Sequence, residues 1–316
     1  MARRLSSPAR SADFPFDNRP AHRPRMITWP NLVSQLFNGL ASGALLALIA
    51  SGLTIIYGTL GVLNLAHGAM FMLGGYAGWV AFQATGSFAV AVIAGSLFLV
   101  VVGGVMELVI IRRFYSRPPE DQILVTFGIG IVIVELVRLG FGSLTHTVPP
   151  PAWASGVTPM GFLIYPTYRI VVLGIVAVAL AALYVVLYRT SLGMIVRAGI
   201  EDSTMVGLLG INLDRVFMLV FGIGALAVGF AGIVNAPVVS LTPDMGDSIL
   251  VQTFVVVVIG GVGSFPGAIL GGLIAGEILS LTSMVDPSYS EVMLFVVMIL
   301  VLLLRPQGLL GQRGRG

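Results

Sequence analysis

Two short stretches carry the polar groups that could act inside an otherwise apolar chain. The first reads Gly58-Thr-Leu-Gly-Val-Leu-Asn64-Leu-Ala-His67-Gly68 and continues Ala-Met-Phe-Met-Leu-Gly-Gly75, placing an asparagine, a histidine and five glycines within one long hydrophobic segment. The second, Gly260-Gly261-Val-Gly-Ser264-Phe-Pro-Gly267, interrupts another. In a bilayer every backbone N–H and C=O must find a partner inside the protein, so irregular backbone survives only against other protein or a wet cavity. Helix ends meeting at such breaks present dipoles and donors to a polar solute, which is the chemistry of a transport site. The candidate pathway residues are Asn64, His67, Gly68, Gly260, Gly261, Ser264 and, in the helix after the second break, Glu277. Close packing of small residues would explain Gly74-Gly75 and Gly271-Gly272 equally well, but it does not ask for Asn64, His67 and Ser264 beside them. His67 can be read either as a contact to the solute or as a cap that braces the break.

The elements that must hold these residues follow from composition. Of 316 residues, 57% are hydrophobic and 10% charged, with a mean hydropathy of +0.99. Soluble domains carry about 25% charged residues, so this is a polytopic helical membrane protein. Its apolar runs are long and continuous, which excludes a transmembrane β-barrel of period two. The absence of Cys removes disulfides, zinc–thiolate sites and iron–sulfur clusters. All 17 basic residues are Arg, so lysine Schiff-base and P-loop lysine chemistry are absent too. Three His, one of them near the N-terminus, supply a haem or metal site poorly. No cofactor is expected.

Apolar segments of membrane-crossing length occur at about 32–57, 66–85, 87–111, 122–142, 168–188, 215–236, 250–284 and 290–304. The segment 250–284 is too long for one span and is split by the second break. Paired interruptions in two halves mark a repeat-built transporter. The predicted fold is therefore all-α: a transmembrane helical bundle of about eight membrane segments, with two discontinuous helices in an inverted repeat. It occupies residues 31–305, with a short tail at 306–316. Residues 1–30, with six Arg among the first 25 and no apolar core to a signal, read as a disordered tail or as a stretch upstream of a true start at Met26.

Arg-rich loops mark the cytoplasmic side: Arg112-Arg113…Arg117 and the segment Arg189–Arg215. The loops at 143–167 and 237–249 are nearly Arg-free and read as external. A simple count of eight spans would put both termini outside. Re-entrant breaks change that parity, and with the Arg-rich ends they favour both termini inside. Within 189–215, Leu192, Ile195, Val196 and Ile200 form a short helical stripe, and Thr204–Leu209 a second helix after Ser203, ended by Gly210. Such a helix in a cytoplasmic loop suits a groove on a soluble partner, although a plain surface loop would read similarly. Among charges within apolar segments, Glu135 and Arg138 are spaced to pair, Glu107 reaches toward Arg112-Arg113, and Glu277 has no sequence-local partner.

At this point the residues carry a resemblance over about residues 30–311. Asn38-Gly-Leu-Ala-Ser-Gly-Ala-Leu-Leu-Ala-Leu-Ile49, Gly52-Leu-Thr-Ile-Ile-Tyr-Gly58, Asn64-Leu-Ala-His-Gly68, Arg197-Ala198, Leu209-Gly-Ile211, Phe254–Ser264, Pro266-Gly267 and Arg305-Pro-Gln-Gly308 resemble the permease family of ABC importers for branched-chain amino acids. The resemblance implies a permease of the bacterial inner membrane. It implies pairing with a second homologous permease, two cytoplasmic ATP-binding subunits and a periplasmic substrate-binding protein, within membrane lipid and with no nucleic acid. ATP would bind to the partners, leaving this subunit non-enzymatic. By position, 189–211 would hold the helix that couples to the ATPase, with Gly193, Arg197, Ala198 and Gly210 on family positions and Glu201 and Asp202 between them. The chain departs from the family at Ala69, where an acidic residue is common, and at Met205-Val206, where small Ala residues are usual. The first departure leaves the substrate open among branched-chain or other amino acids, urea and short amides. An ion-coupled secondary transporter is the alternative class.

Overall fold

The computed structural model describes residues 28–161, 163–201 and 203–311. Residues 1–27 of the expected tail, Asp202 and residues 312–316 lie outside the described residues. The helices in chain order are α1 (Trp29–Leu60), α2 (His67–Thr85), α3 (Phe88–Val109), α4 (Pro119–Phe141), α5 (Thr167–Arg189), α6 (Ser191–Glu201), α7 (Ser203–Leu208), α8 (Leu213–Asn235), α9 (Met245–Gly260), α10 (Phe265–Val285) and α11 (Ser290–Leu304). A small antiparallel hairpin, β1 (Val157–Pro159) with β2 (Ile164–Pro166), pairs Thr158 with Tyr165 ahead of α5. Among the described residues seven helical stretches are long and apolar enough to cross a membrane: α1, α3 with its 3-10 extension to Phe114, α4, α5, α8, α10, and α11 with the turn from Pro287. The protein is thus an all-α polytopic membrane bundle. Its two discontinuous helices are α3, followed by the turn Ile111–Phe114, and α11, preceded by the turn Pro287–Tyr289. The turn between α3 and α4 has its counterpart in the turn between α10 and α11, in the same chain order, as an inverted-topology repeat requires.

Packing gives the same symmetry. Helix α1 packs on α10 as α8 packs on α3, and α2 meets α4 as α9 meets α11, while α1 with α8 and α2 with α9 form the shared middle. Direction is fixed by contacts at the ends. Asn38 of α1 and Val234 at the far end of α8 both bond to the start of α5, through Arg169 and Tyr168, so α1 and α8 run antiparallel. The sequence Gly61-Val-Leu-Asn64 that follows α1 has its counterpart in Gly232-Ile-Val-Asn235 at the end of α8. The mate of the 61–66 break is therefore the non-helical stretch 236–244 before α9. The 261–264 break is instead a tight turn between α9 and α10 and equates to the α2–α3 turn at Gly86. The sequence pattern had paired the wrong breaks, because both candidates share glycines and only chain direction separates them.

Glycines let the central helices touch backbone to backbone. A Cβ on Gly52 would lie 3.0 Å from the Gly224 carbonyl oxygen, and one on Gly224 3.0 Å from that of Gly52. A Cβ on Gly246 would come within 2.5 Å of the Gly68 carbonyl, where the starts of α2 and α9 cross. Along α1 and α10, Gly272 lies against Ala47 and Gly276 against Gly39 and Gly43. Without a hydrophobic drive between helices in lipid, such close approach supplies the dispersion that holds them. Helix α1 is consequently enclosed, whereas α4 and α11 face outward along most of their length.

The Arg-rich turn at 112–117 and the segment after α5 occupy one end of the bundle, and the 143–167 loop with the hairpin the other. The N-terminal end of α1 lies with that hairpin, since Tyr165 Oη donates to Asn38 Oδ1 at 2.9 Å. The chain after α11 lies at the opposite end, where Leu309 N–H and Leu310 N–H bond to the Ile259 and Gly260 carbonyls. The expectation that both ends share the cytoplasmic side therefore fails. The α9–α10 turn adds one crossing that the count of eight segments had merged, and the 61–66 stretch returns into the membrane without crossing it.

Substituting Gly276→Val should cost about 3 kcal/mol or more through overpacking at the α1–α10 seam, whereas the exposed Leu270→Val should cost well under 1 kcal/mol. Thermal unfolding in detergent would show the difference, and equal melting temperatures would refute the backbone-contact reading.

Candidate functional site

The first break is a non-helical passage buried inside the membrane bundle. Helix α1 stops at Gly61, whose φ of +67° only glycine adopts cheaply and whose N–H closes on the Tyr57 carbonyl. The chain then runs back into the bundle, with Val62, Asn64 and Ala66 fully buried. Several of its backbone groups are satisfied locally. Asn64 Oδ1 accepts from Ala66 N–H at 3.1 Å, and the Asn64 carbonyl accepts from His67 N–H at 3.2 Å. Thr126 of α4 accepts from Leu65 N–H at 3.2 Å and donates to the Leu63 carbonyl at 3.1 Å. His67 Nε2 lies 3.1 Å from the Ile49 carbonyl oxygen. A carbonyl can only accept, so Nε2 carries the proton, and the buried Nδ1 has no partner among the described residues. Sequence reasoning named Asn64 and His67 but gave no signal for Thr126, which is 60 residues away in the chain.

A cavity of about 470 Å³ opens between α1, α5, α9 and α10 toward the end that holds the hairpin. Its floor is apolar, made by Leu45, Leu46, Ile49, Val172 and Ile249, and its walls carry Asn235, Gln252 and Ser280. Gln35, Asn38 and Arg169 form a bonded polar group in it. Arg169 and Tyr165 both donate to Asn38 Oδ1, Asn38 Nδ2 donates to Gln35 Oε1 at 3.0 Å, and Ser280 Oγ donates to the same Oε1 at 3.0 Å. Among the described residues no carboxylate pairs with Arg169. Burial raises the Tyr165 hydroxyl above its usual pKa, against the opposing pull of Arg169, so it remains a donor to Asn38.

None of the pathway candidates drawn from the sequence lines this cavity. His67 braces it from behind, through the carbonyl of its floor residue Ile49. Gly68 sits at the crossing of α2 and α9. Gly260 lies against Gly267, and Gly261, at φ +104°, lies against the chain at Gln307–Gly311. Ser264 caps α10 by accepting from Gly267 N–H at 3.2 Å. Glu277 lies beside Gly39 on the α1–α10 seam, and its buried Oε2 has no partner among the described residues. The lining amides and Arg169 escaped notice because each looks like an isolated polar residue near a helix end.

At the end that holds the Arg-rich turn, α6 folds back on α5. Gly193 is pressed onto the Leu187 carbonyl, the Arg197 guanidinium donates to that same carbonyl, and it stands 5.2 Å over the Tyr188 ring. Arg197 thus caps the C-terminal end of α5, where the helix dipole favours a cation. Val196 is buried with Leu187 in the core, while Met194, Leu208 and Leu209 are exposed and Ala198 faces solvent. Glu201 ends α6, and Gly210 turns the chain at φ +79° before α8.

The other flagged charges are paired. Glu107, fully buried, takes two bonds from Arg112, at 3.2 and 3.1 Å, and one from Tyr115 at 2.9 Å. Burial first, then that bond to Glu107, raises the Tyr115 pKa and keeps its hydroxyl a donor. Arg138 pairs with Glu135 as spaced, and also with Asp244 at 2.6 Å, tying α4 to the entry of α9. No group of three or more His, Cys, Asp or Glu that could hold a metal occurs among the described residues.

An inverted-repeat bundle with an enclosed central helix, a membrane-buried break and a solute-sized cavity defines a non-catalytic membrane transport subunit. The family described as branched-chain amino acid transport system / permease component matches residues 35–302, and the chain belongs to it. It is a multi-pass protein of the bacterial inner membrane. It is 33% identical over 297 residues to the high-affinity branched-chain amino acid transport system permease protein LivH of Salmonella typhimurium, covering 89% of this chain and 96% of that one. It is 32% identical to BraD of Pseudomonas aeruginosa over 298 residues, with the same coverage. It is also 27% identical to the permease protein LivM of Escherichia coli over 314 residues, covering 90% of this chain and 72% of that one.

Replacing His67 with Ala should destabilise the protein by about 2–4 kcal/mol, through a lost buried hydrogen bond and a residual void. His67→Gln, which can still donate to Ile49, should recover part of that loss. Thermal unfolding of the purified subunit checks it, and an unchanged midpoint for the alanine variant would remove the brace.

Proposed function

We propose that this chain is one permease subunit of an ATP-driven importer and that it passes branched-chain or similar amino acids through the cavity between α1, α5, α9 and α10. The observation that carries this reading is the pairing of an uncompensated Arg169 with amide oxygens above an apolar floor. A zwitterion is costly to leave unpaired in a low-dielectric setting. Arg169 suits its carboxylate, the Asn235 and Gln252 amide oxygens in the wall suit its ammonium, and Leu46, Ile49 and Ile249 suit a branched apolar side chain. Asn64, His67 and Gly68 act as the frame behind this passage, and Ser264 with Gly260 and Gly261 sets the start of α10. The second subunit is a homologous permease, a role in keeping with this chain's likeness to both LivH and LivM, two permease proteins of high-affinity branched-chain amino acid systems. ATP is bound and hydrolysed by two cytoplasmic subunits, and a soluble binding protein delivers substrate at the external face.

Segment 191–211 is the docking surface for the ATP-binding subunits. Exposed Met194, Leu208 and Leu209 offer apolar anchors, and Gly193 with Arg197 locks α6 to the end of α5 so that a push is not dissipated. The amide-rich lining, with Gln35, Asn38, Asn235 and Gln252, also favours a second reading, in which the solute is a short amide or urea. A neutral amide leaves Arg169 without a counterpart, which ranks the amino acid first.

The test is uptake of tritiated leucine into vesicles holding the complete importer. Arg169→Ala should lower uptake roughly thirtyfold, the equivalent of about 2 kcal/mol for a charged hydrogen bond, with assembly intact. Full uptake by this variant, or competition by acetamide but not by valine, would overturn the amino acid reading. Arg197→Ala should leave ATP hydrolysis running while uptake per ATP falls about tenfold. Coupled uptake at the wild-type ratio would count against the docking assignment.

A further inference from the structure

The Glu107–Arg112–Asp214 cluster lies away from the cavity and plays no part in binding solute, yet it is the most enclosed ionic contact at the cytoplasmic end. Arg112 grips Glu107 of its own helix through Nε and Nη2. It also reaches across to the first turn of α8, with Nη1 at 3.4 Å from Asp214 Oδ2 and Nη2 at 3.3 Å from the Asp214 carbonyl. Glu107 is fully buried and Arg112 retains 27% of its side-chain surface, so solvent screens that pair far less than a surface pair; Asp214, 62% exposed, takes the outer side of the same guanidinium. We propose that Arg112 is the positioning residue through which displacement of the coupling segment enters the membrane bundle: it binds the start of α8 to the end of α3 and makes the two helices one moving body. This inference rests on the importer reading above.

Three further observations carry it. First, the coupling segment joins α8 through Gly210, where an added Cβ would meet no described atom within 4 Å. Gly210 turns the chain in open space at φ +79°, and Asp214, four residues beyond it, ties the start of α8 to Arg112. Second, α3 and α8 are fitted together along their length, Gly229 against Leu99 and Gly103 against Ala225, and α8 ends at Asn235 in the cavity wall. A body gripped at Asp214 therefore reaches from the cytoplasmic end to the solute site. Third, the inverted repeat supplies an internal control. The equivalent end of the α10–α1 pair lies at the end that holds the hairpin. There the two helices are joined by neutral bonds, Ser280 Oγ donating to the Gln35 carbonyl at 2.6 Å. Within the described residues the α10–α1 pair has no ion pair at that end; the ionic tie there, Arg138 with Asp244, joins α4 to the entry of α9 instead.

The experiment uses the complete importer in vesicles, with ATP hydrolysis and tritiated leucine uptake read in the same sample. Asp214→Asn severs the side-chain link to α8 but leaves the Glu107–Arg112 pair, and should lower uptake per ATP roughly threefold. Arg112→Gln should lower it about tenfold, with hydrolysis retained, and Arg112→Lys, which can still hold Glu107, should lie between them; such ratios fall in the range of allosteric coupling. Uptake and hydrolysis that decline together with the amount of assembled complex, or a ratio unchanged in both Asp214→Asn and Arg112→Gln, would overturn the proposal. If Arg112→Gln fails to accumulate because Glu107 is left buried and unpaired, the ratio in Asp214→Asn decides. Wild-type vesicles that take up leucine without ATP would overturn the importer reading itself, whereas a wild-type ratio with unaltered variants would overturn the clamp alone.

Discussion

A stretch of chain that is neither helix nor strand passes through the middle of this bundle, and the bilayer offers its N–H and C=O groups no water. Everything near residues 61–66 answers that constraint. Asn64 turns its amide onto the backbone two residues on, and Thr126 arrives from α4 to accept and donate. His67 ties the start of α2 to α1. With these bonds in place α2 begins at membrane depth, and its first turn meets the first turn of α9 at Gly68 and Gly246. That crossing is the axis around which the two halves of the chain repeat each other in opposite directions.

The two halves of the repeat are not alike at their ends. The α1–α10 pair ends beside the hairpin in neutral hydrogen bonds and a polar cavity, whereas the α8–α3 pair ends beside the Arg-rich turn in the Glu107–Arg112 pair, which also reaches the exposed Asp214. The glycine contacts that hold the frame lie between these ends. The cavity lies beside α1, the most enclosed of the candidate spans among the described residues, and is lined in part by the end of α8.

Much of this was legible in the residues. The all-α membrane class followed from a 10% charged composition, and the short helices at 191–201 and 203–208 from apolar spacing and Gly210. The Glu135–Arg138 pair followed from helical spacing, and Glu107 was expected to reach toward Arg112-Arg113, where it meets Arg112. Thr126, Asp214 and Asp244 were not legible as partners, because each reaches its mate across more than sixty residues of chain. The pairing of the breaks was misread for a related reason: Gly260–Gly267 imitates the first break in composition, while the true counterpart, 236–244, holds Pro and Asp and looks like an ordinary external loop.

The sequence by itself determined what the chain is made to live in and which residues are too polar to be there without cause, because hydropathy and the cost of an unpaired group depend on residue type alone. It also determined the family, through motifs kept in order along the chain. Only the tertiary structure decided what those polar residues do. His67 and Asn64 became the frame rather than the lining, since their partners are backbone groups, and Asn38, Arg169 and Asn235 became the lining because three separate helices bring them to one cavity. Direction decided the rest: which break mirrors which, and which end of the chain lies on which face, are properties of antiparallel packing that no local spacing encodes.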